Sequence, residues 1–190
     1  MSDYLATPLV FLIGTLFQLY ILALLLRFLL QWARANFYNP VSQFLVKITN
    51  PPLKPLRRFV PGLWGLDLAA VVLMIALQMV SLALMAALRG FAMGPLTLFL
   101  LSVAELVELT IYVFIFSILI QAILSWVNPG RYNPVTDALH SLNEPLLRPV
   151  RRFMPPVSGF DLSPLVAIIG LQVLLMLIMP PLRDLARLAG

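Results

Sequence analysis

The sequence of 190 residues contains no cysteine and only one histidine, His140. Without cysteine the chain can form neither a disulfide nor a thiolate metal site, and one histidine cannot supply a cluster of imidazole ligands. The sequence also lacks a Gly-x-Ser-x-Gly turn, a phosphate-binding glycine loop and a pair of haem ligands. These absences leave catalysis without support, so we expect no enzyme, no cofactor and no metal.

Charge is scarce as well. Charged residues make up 11% of the chain and hydrophobic residues 61%, and the mean hydropathy is +0.97. A soluble domain of this length needs more polar surface, so the expected solvent is a lipid bilayer. A crossing helix takes about 20 apolar residues, and four segments are long enough. The expected fold is an all-α membrane protein with four transmembrane helices, at about residues 9–32, 67–88, 103–127 and 162–180, the last ending at Pro180-Pro181.

The chain repeats itself at an offset of 94 residues. From Tyr38 to Asp67, 14 of 30 positions are identical at this offset without a gap. Each copy reads as an apolar segment, a proline-rich basic connector and a second apolar segment. We therefore expect two tandem parallel repeats, residues 1–94 and 95–190, with connectors at 33–66 and 128–161. Because each copy crosses twice, a pseudo-two-fold axis along the membrane normal should relate them.

Basic residues set the expected orientation. The connectors hold nine lysines and arginines, whereas the opposite side holds only Arg89, Arg183 and Arg187. The positive-inside rule then places both connectors in the cytoplasm and both termini in the periplasm of a bacterial inner membrane. The segment Met1 to Thr7 has no positive residue, so we expect the first helix to be retained rather than cleaved as a signal peptide.

Each connector is predicted to be amphipathic. Asn39-Pro40 and Asn133-Pro134 are helix start signals, an Asn cap followed by proline. The prolines are expected to break this helix and start another, and they are Pro51, Pro52 and Pro55 in the first copy and Pro145 and Pro149 in the second. The second helix should lie in the membrane interface with its apolar face among acyl chains.

The bases of the connectors recur on one helix face. They are Lys54, Arg57 and Arg58 in the first copy and Arg148, Arg151 and Arg152 in the second. Binding of anionic lipid or of a partner would explain why this face is repeated. The alternative is that these bases only satisfy the positive-inside rule.

Several polar residues are expected at or inside the membrane. Asp67 and Asp161 each open a transmembrane helix, and we expect them to cap it and to pair with a connector arginine, with a transport site as the alternative. Gln78 and Gln172 lie about 16 Å further along their helices. We expect a hydrogen bond between these two helices at mid-membrane, or else a polar pair lining a path on the pseudo-two-fold axis.

Three charged residues are not duplicated. Arg27 is about 7 Å from Trp32 along a helix and is expected to extend to the cytoplasmic interface. Glu105 and Glu108 share a face near the outer end of the third helix, where Arg89 or Arg183 could neutralise them. The alternative for this acid pair is a cation or proton site.

A motif present twice carries a resemblance to a known family. It reads Trp-x-x-x-x-x-Tyr-Asn-Pro-Val, then Pro-x-Leu-Lys/Arg-Pro-x-Arg-Arg-Phe-x-Pro, then Gly-x-Asp-Leu. The chain resembles the YggT (YlmG) family of integral membrane proteins in its two-repeat Gram-negative form. The matching residues are Asn39, Pro40, Pro51, Pro55, Arg57, Arg58, Gly65 and Asp67, with Asn133, Pro134, Pro145, Pro149, Arg151, Arg152, Gly159 and Asp161.

The resemblance implies tolerance of osmotic shock, division-related gene neighbourhoods and, in chloroplast relatives, maturation of a b-type cytochrome and nucleoid distribution. It implies no agreed activity or ligand. We therefore expect a non-catalytic inner-membrane scaffold that binds anionic lipid headgroups or other membrane proteins, with a homo-oligomer left open and no direct nucleic-acid binding. A small cation channel or transporter is the alternative.

Overall fold

The structure, a computed structural model, describes residues 3–62, 65–127, 133–153 and 161–189. Six α-helices account for most of these residues. They are α1 (Asp3–Trp32), α2 (Pro40–Leu56), α3 (Leu68–Leu88), α4 (Pro95–Val127), α5 (Pro134–Phe153) and α6 (Ser163–Leu188). Gly159 of the repeated motif lies outside the described residues.

Four helices, α1, α3, α4 and α6, are long and apolar enough to cross a membrane. The expected all-α fold with four spans is confirmed, and α2 and α5 form the connectors. Three spans are longer than expected, because α1 begins at Asp3, α4 begins at Pro95 and α6 runs to Leu188. The 33 residues of α4 correspond to about 50 Å, so this helix exceeds a hydrocarbon core of about 30 Å.

The helix α6 continues through Pro180 and Pro181, so the expected end of the fourth span at this pair was wrong. Each proline forfeits one backbone hydrogen bond but keeps a helical φ. Contacts beyond the prolines hold the last turns against α4. Arg183 Nη2 lies 2.7 Å from Glu108 Oε2, and Ala186 is fully buried. Packing on the neighbouring helix thus outweighs the local tendency to stop.

The connectors also continue through their prolines, contrary to the expected break into two helices. Pro51, Pro52 and Pro55 lie inside α2, and Pro145 and Pro149 lie inside α5. Pro52 has no N–H to donate to the carbonyl of Ile48. The hydroxyl of Tyr20 in α1 donates to that oxygen instead, over 3.3 Å. A side chain from the neighbouring helix therefore replaces a backbone donor, and each connector is one helix.

The two copies share one core. Within each copy the spans pack against each other, α1 on α3 and α4 on α6, while α3 also contacts α4 and α2 contacts α5. The largest cluster of buried apolar side chains includes Ile21, Leu24, Leu53 and Ala70 of the first copy and Phe114 and Leu142 of the second. Because this cluster crosses the repeat boundary, neither copy completes its core alone.

The apolar stripe of each connector helix faces this bundle rather than lipid. Leu45 and Leu53 of α2 are 5% and 0% exposed, and Leu142 and Leu147 of α5 are 2% and 1% exposed. The apolar face of the expected second helix was predicted to lie among acyl chains, but Leu53 and Leu147 on that face are buried in the bundle. The transmembrane helices, and not lipid, cover these apolar side chains of the connectors. This burial holds the connectors against the bundle.

A polar contact ties each connector to the first span of its own copy. In the first copy, Arg27 Nη1 donates to Thr49 Oγ1 over 2.6 Å and to Asn50 Oδ1 over 2.9 Å. In the second copy, Asn143 Nδ2 donates to Gln121 Oε1 over 2.8 Å. Positions 121 and 143 follow positions 27 and 49 by 94 residues, so the same two places are joined by different side chains. Arg27 therefore binds α2 and does not simply extend to the interface.

We predict that Asn143→Ala lowers the free energy of unfolding by about 1–2 kcal/mol. The change removes one of the two acceptors near the buried Ser117 hydroxyl, whose Oγ lies 2.6 Å from Asn143 Oδ1 and 3.0 Å from the Phe114 carbonyl, and it also removes the donor to Gln121. Unfolding in detergent micelles measures the loss. The control is Lys47→Ala on the exposed face of α2, expected within about 0.5 kcal/mol. Equal effects of the two changes would contradict the prediction.

Candidate functional site

The connector helices begin at asparagine caps, as expected. Asn39 Oδ1 accepts from the N–H of Val41 over 2.9 Å, and Asn133 Oδ1 accepts from the N–H of Val135 over 3.0 Å. Asn39 does more than cap its own helix. Its amide donates to the carbonyl of Pro134 over 2.8 Å and to Asp137 Oδ2 over 3.0 Å. This residue therefore joins the two connectors, a role that its position in the motif does not reveal.

An ion pair joins each connector to the second span of its copy, as expected. In the first copy, Nε and Nη2 of Arg57 both donate to the carboxylate of Asp67. In the second copy, Arg151 Nε lies 3.0 Å from Asp161 Oδ2 and Arg151 Nη1 lies 2.9 Å from Glu144 Oε2. Two of the six bases assigned to lipid binding thus have carboxylate partners within the chain.

The N-cap of α6 is Leu162, so Asp161 is not the cap residue itself, although it bonds the first N–H of the helix. Asp161 Oδ1 accepts from the backbone N–H of Ser163 over 2.9 Å. Asp67 makes no capping hydrogen bond from its side chain, so that part of the expectation was wrong. Both of its carboxylate oxygens accept hydrogen bonds from Arg57 instead.

The contacts of Asp161 change its acidity. Partial burial alone raises the pKa of Asp161, but hydrogen bonds from Ser163 and Arg151, together with the positive charge of Arg151, outweigh burial and hold the pKa below its ordinary value of 3.8. The carboxylate is therefore ionised at neutral pH, as an ion pair requires.

The backbone conformation at position 65 explains why the repeated motif has a glycine there. Its φ is +81°, a left-handed backbone conformation that residues with a Cβ atom rarely adopt. The carbonyl of Gly65 accepts from Gln31 Nε2 over 2.9 Å. This turn therefore contacts the end of α1 just before Asp67 opens α3.

The remaining four bases form an exposed set that we call the basic surface. Its members are Lys54 and Arg58 at the end of α2 and Arg148 and Arg152 in α5, and all four are exposed. None of them makes an ion pair within the part of the chain that the structure describes. Phe59 and Phe153 follow Arg58 and Arg152 and are 83% and 87% exposed. Each copy thus presents the same Arg-Phe pair to its surroundings.

A polar cavity of about 360 Å³ lies between α1, α3 and α4. Its polar lining includes Gln18, Gln78, Ser81, Glu105 and Glu108. Gln78 Nε2 donates to Glu105 Oε2, while Glu108 pairs with Arg183, one of the two partners expected for it. Among the described residues, no three His, Cys, Asp or Glu side chains are grouped as metal ligands would be.

The expected hydrogen bond between Gln78 and Gln172 is not formed. Gln78 points to α4, and Gln172 of α6 has no hydrogen-bond partner among the side chains described. The reason is topological, because α4 packs against both α3 and α6, whereas the described parts of α3 and α6 do not touch. Equivalent positions in the two copies therefore meet different surroundings.

We predict that Asp67→Asn destabilises the protein more than Asp161→Asn. Asp67 is 6% exposed, and its replacement leaves Arg57 without a carboxylate, whereas Asp161 is 37% exposed and Arg151 keeps Glu144. Because Arg57 is itself partly exposed, we expect a cost of about 2 kcal/mol for Asp67→Asn. For Asp161→Asn we expect less than about 1 kcal/mol. Thermal unfolding in detergent compares the two, and the reverse order would refute this assignment.

The stability contributed by Asp161 should depend on pH. Because its pKa is lower in the folded chain than the ordinary 3.8, the contribution is present above that value and is lost as the pH falls through the folded-state pKa. We expect the difference in Tm between wild type and Asp161→Asn to be constant between about pH 7 and pH 5, to shrink as the pH falls below about 3.8, and to vanish only once the pH is below the folded-state pKa. A difference that grows at low pH would overturn the ion-pair role.

Comparison with known proteins places the chain among relatives with the same repeat. The profile of the CCB3/YggT family matches it twice, at residues 6–88 and 100–182. The uncharacterized protein PA0392 of Pseudomonas aeruginosa is 44% identical over 186 residues, which are 97% of this chain and 93% of that protein. The uncharacterized protein YggT of Escherichia coli K12 is 39% identical over 166 residues, 87% of this chain and 86% of that protein.

A shorter relative matches about the length of one copy. The uncharacterized protein ycf19 of Porphyra purpurea is 33% identical over 85 residues, which are 44% of this chain and 85% of that protein. No solved structure matches the chain. With both copies matched and two relatives similar over most of their length, the protein belongs to the CCB3/YggT family.

Proposed function

We propose that this protein is a non-catalytic membrane scaffold that binds anionic lipid headgroups at its basic surface. One observation carries the proposal: Lys54, Arg58, Arg148 and Arg152 are exposed, have no ion-pair partner among the residues that the structure describes, and stand at matched positions in the two copies. In the proposed orientation the connectors face the cytoplasm and the headgroups of the inner leaflet, and both termini face the periplasm.

The energy available to such a surface is sufficient for lipid retention. Each base near an anionic membrane contributes about 1 kcal/mol, so four bases contribute about 4 kcal/mol at moderate salt. The exposed rings of Phe59 and Phe153 would insert beside them at the boundary between headgroups and acyl chains. Charge and insertion act at the same place, which favours a membrane surface over a soluble acidic partner.

The connectors are suited to hold what they bind in a fixed position. Their inner faces are buried, and an ion pair and a hydrogen-bonded contact fasten each to the spans. A rigid charged surface of this kind would serve as a scaffold during envelope stress or during assembly of other membrane proteins. Osmotic tolerance and division, the roles that the family resemblance suggests, are the settings in which we propose it acts.

We predict that Arg58→Gln with Arg152→Gln weakens retention of phosphatidylglycerol about 30-fold, because two bases contribute about 2 kcal/mol. The matched control is Arg89→Gln with Arg187→Gln, which removes two exposed bases from the opposite side and should leave retention unchanged. Native mass spectrometry from mild detergent measures bound lipid, and survival of osmotic downshift measures tolerance in cells. Intact retention and tolerance in the first variant, with normal expression, would end the proposal.

A small cation channel or transporter is the second candidate, and the polar cavity is what favours it. Gln78 and Glu105 lie in the membrane-spanning helices and line this space of about 360 Å³. If cations pass here, potassium or proton flux in proteoliposomes should exceed that of empty vesicles, and Glu105→Gln should reduce it. Flux equal to that of empty vesicles under an electrical or osmotic gradient would count against this function.

A further inference from the structure

The guanidinium of Arg27 lies in a membrane-spanning helix and forms no ion pair with a carboxylate in the described part of the chain. Its Nη1 donates to the neutral acceptors Thr49 Oγ1 and Asn50 Oδ1. An arginine carries five N–H donors, and these two contacts use one nitrogen. Within the described ranges, Nε and Nη2 have no hydrogen-bond partner. An unused donor face on a cation within a membrane-spanning helix is suited to bind an anion.

The charges around Arg27 do not cancel. Arg27 lies within electrostatic range of Arg57 and of Asp67. The carboxylate of Asp67 accepts from Arg57, with which it forms the ion pair already described. Two guanidinium groups therefore face one carboxylate, and one positive charge remains uncompensated in this cluster.

A cleft beside Arg27 has space for an anion. It measures about 390 Å³ and is lined by Arg27, Gln31, Ser42 and Phe37, with Leu30, Ala35 and Val46 as apolar wall. Ser42 is 8% exposed, and its buried Oγ has no hydrogen-bond partner among the described residues. A buried hydroxyl without a partner is destabilising unless a ligand satisfies it. Ser42 also lies in the first turn of α2, where the helix dipole favours negative charge.

The second copy does not repeat this charge. Gln121 stands at the position equivalent to Arg27 and is neutral, while Arg151 contacts both Glu144 and Asp161. Among the described residues, one guanidinium therefore contacts two carboxylates, and His140 Nε2 lies 3.9 Å from one of them, at Glu144 Oε2. An anion site built on this charge should occur once per chain.

We propose that the cleft between α1 and α2 binds one phosphate group at the guanidinium of Arg27, with Ser42 in the wall of the same cleft. Phosphate oxygens accept the paired N–H donors of an arginine and a hydroxyl proton, and one negative charge balances the cluster. The phosphodiester of an anionic phospholipid fits best, because Leu30, Ala35 and Val46 give its glycerol and chains an apolar wall. This goes beyond the proposed function, since none of the four bases of the basic surface takes part.

The test compares three variants in nanodiscs and in mild detergent. Arg27→Gln removes the charge. Glutamine is also the residue at the equivalent position 121, where it bonds the connector of the second copy, so we expect the variant to fold. Arg58→Gln with Arg152→Gln disrupts the basic surface, and Arg89→Gln is the control on the opposite side. Bound lipid is counted by native mass spectrometry, with phosphatidylglycerol, with phosphatidylcholine, and with inorganic phosphate in lipid-free detergent.

We expect wild type to retain one phosphatidylglycerol that survives at high salt, and Arg27→Gln to bind this lipid about tenfold more weakly. The Arg58→Gln, Arg152→Gln variant should keep that one lipid while losing the salt-sensitive ones, so the two proposals can fail separately. Stabilisation by inorganic phosphate alone would support the site and assign free phosphate as its ligand. Retention of the tight lipid by Arg27→Gln, with no phosphate effect, would overturn the proposal.

The variant Ser42→Ala gives a second test, in which the direction of the change in Tm with and without phosphatidylglycerol is compared. If the hydroxyl contacts phosphate, the change should weaken stabilisation by phosphatidylglycerol several-fold. In lipid-free detergent the same change should raise the Tm, because it removes a buried polar group that has no partner. A rise in Tm that is equal with and without phosphatidylglycerol would show that no ligand reaches Ser42 and would exclude its part in the site.

Discussion

The structure depends on how each connector helix is fastened across the end of a transmembrane pair. A helix buried on one side by lipid-embedded spans must satisfy its polar groups from the protein, since hydrocarbon offers no hydrogen bonds. Thr49 and Asn143, both fully buried, meet this requirement through Arg27 and Gln121. An ion pair then fixes the other end to the following span, so the connectors are part of the bundle and not loops that rest on it.

The prolines of the connectors do not end the connector helices, because contacts within the bundle compensate for the missing N–H groups. Proline was expected to end each helix, because a missing N–H leaves a carbonyl without a partner. In the bundle, Tyr20 supplies a donor to one such carbonyl, and tertiary packing supports the remaining turns. Prolines at exposed positions of a packed helix also limit the conformations of the unfolded chain, which lowers the entropy lost on folding.

Local signals predicted part of this architecture well. Hydropathy and the repeat gave the four spans, and the asparagine caps and the arginine-aspartate pairs followed from residue chemistry at fixed spacing. The contacts that could not be predicted are those between elements distant in sequence. Gln78 was expected to meet its counterpart Gln172, yet it bonds Glu105. The hydrophobic periodicity of a helix does not show which other helix packs against it. The role of Arg27 was missed for the same reason, since its partners lie more than 20 residues away.

Linking both copies in one polypeptide also has an evolutionary consequence. In a homodimer built from a single unit, each substitution appears twice, so the two halves keep the same chemistry. Here positions 27 and 121 carry an arginine and a glutamine, which join their connectors through different side chains. Two copies linked in one chain can therefore diverge residue by residue, a freedom closed to a symmetric assembly.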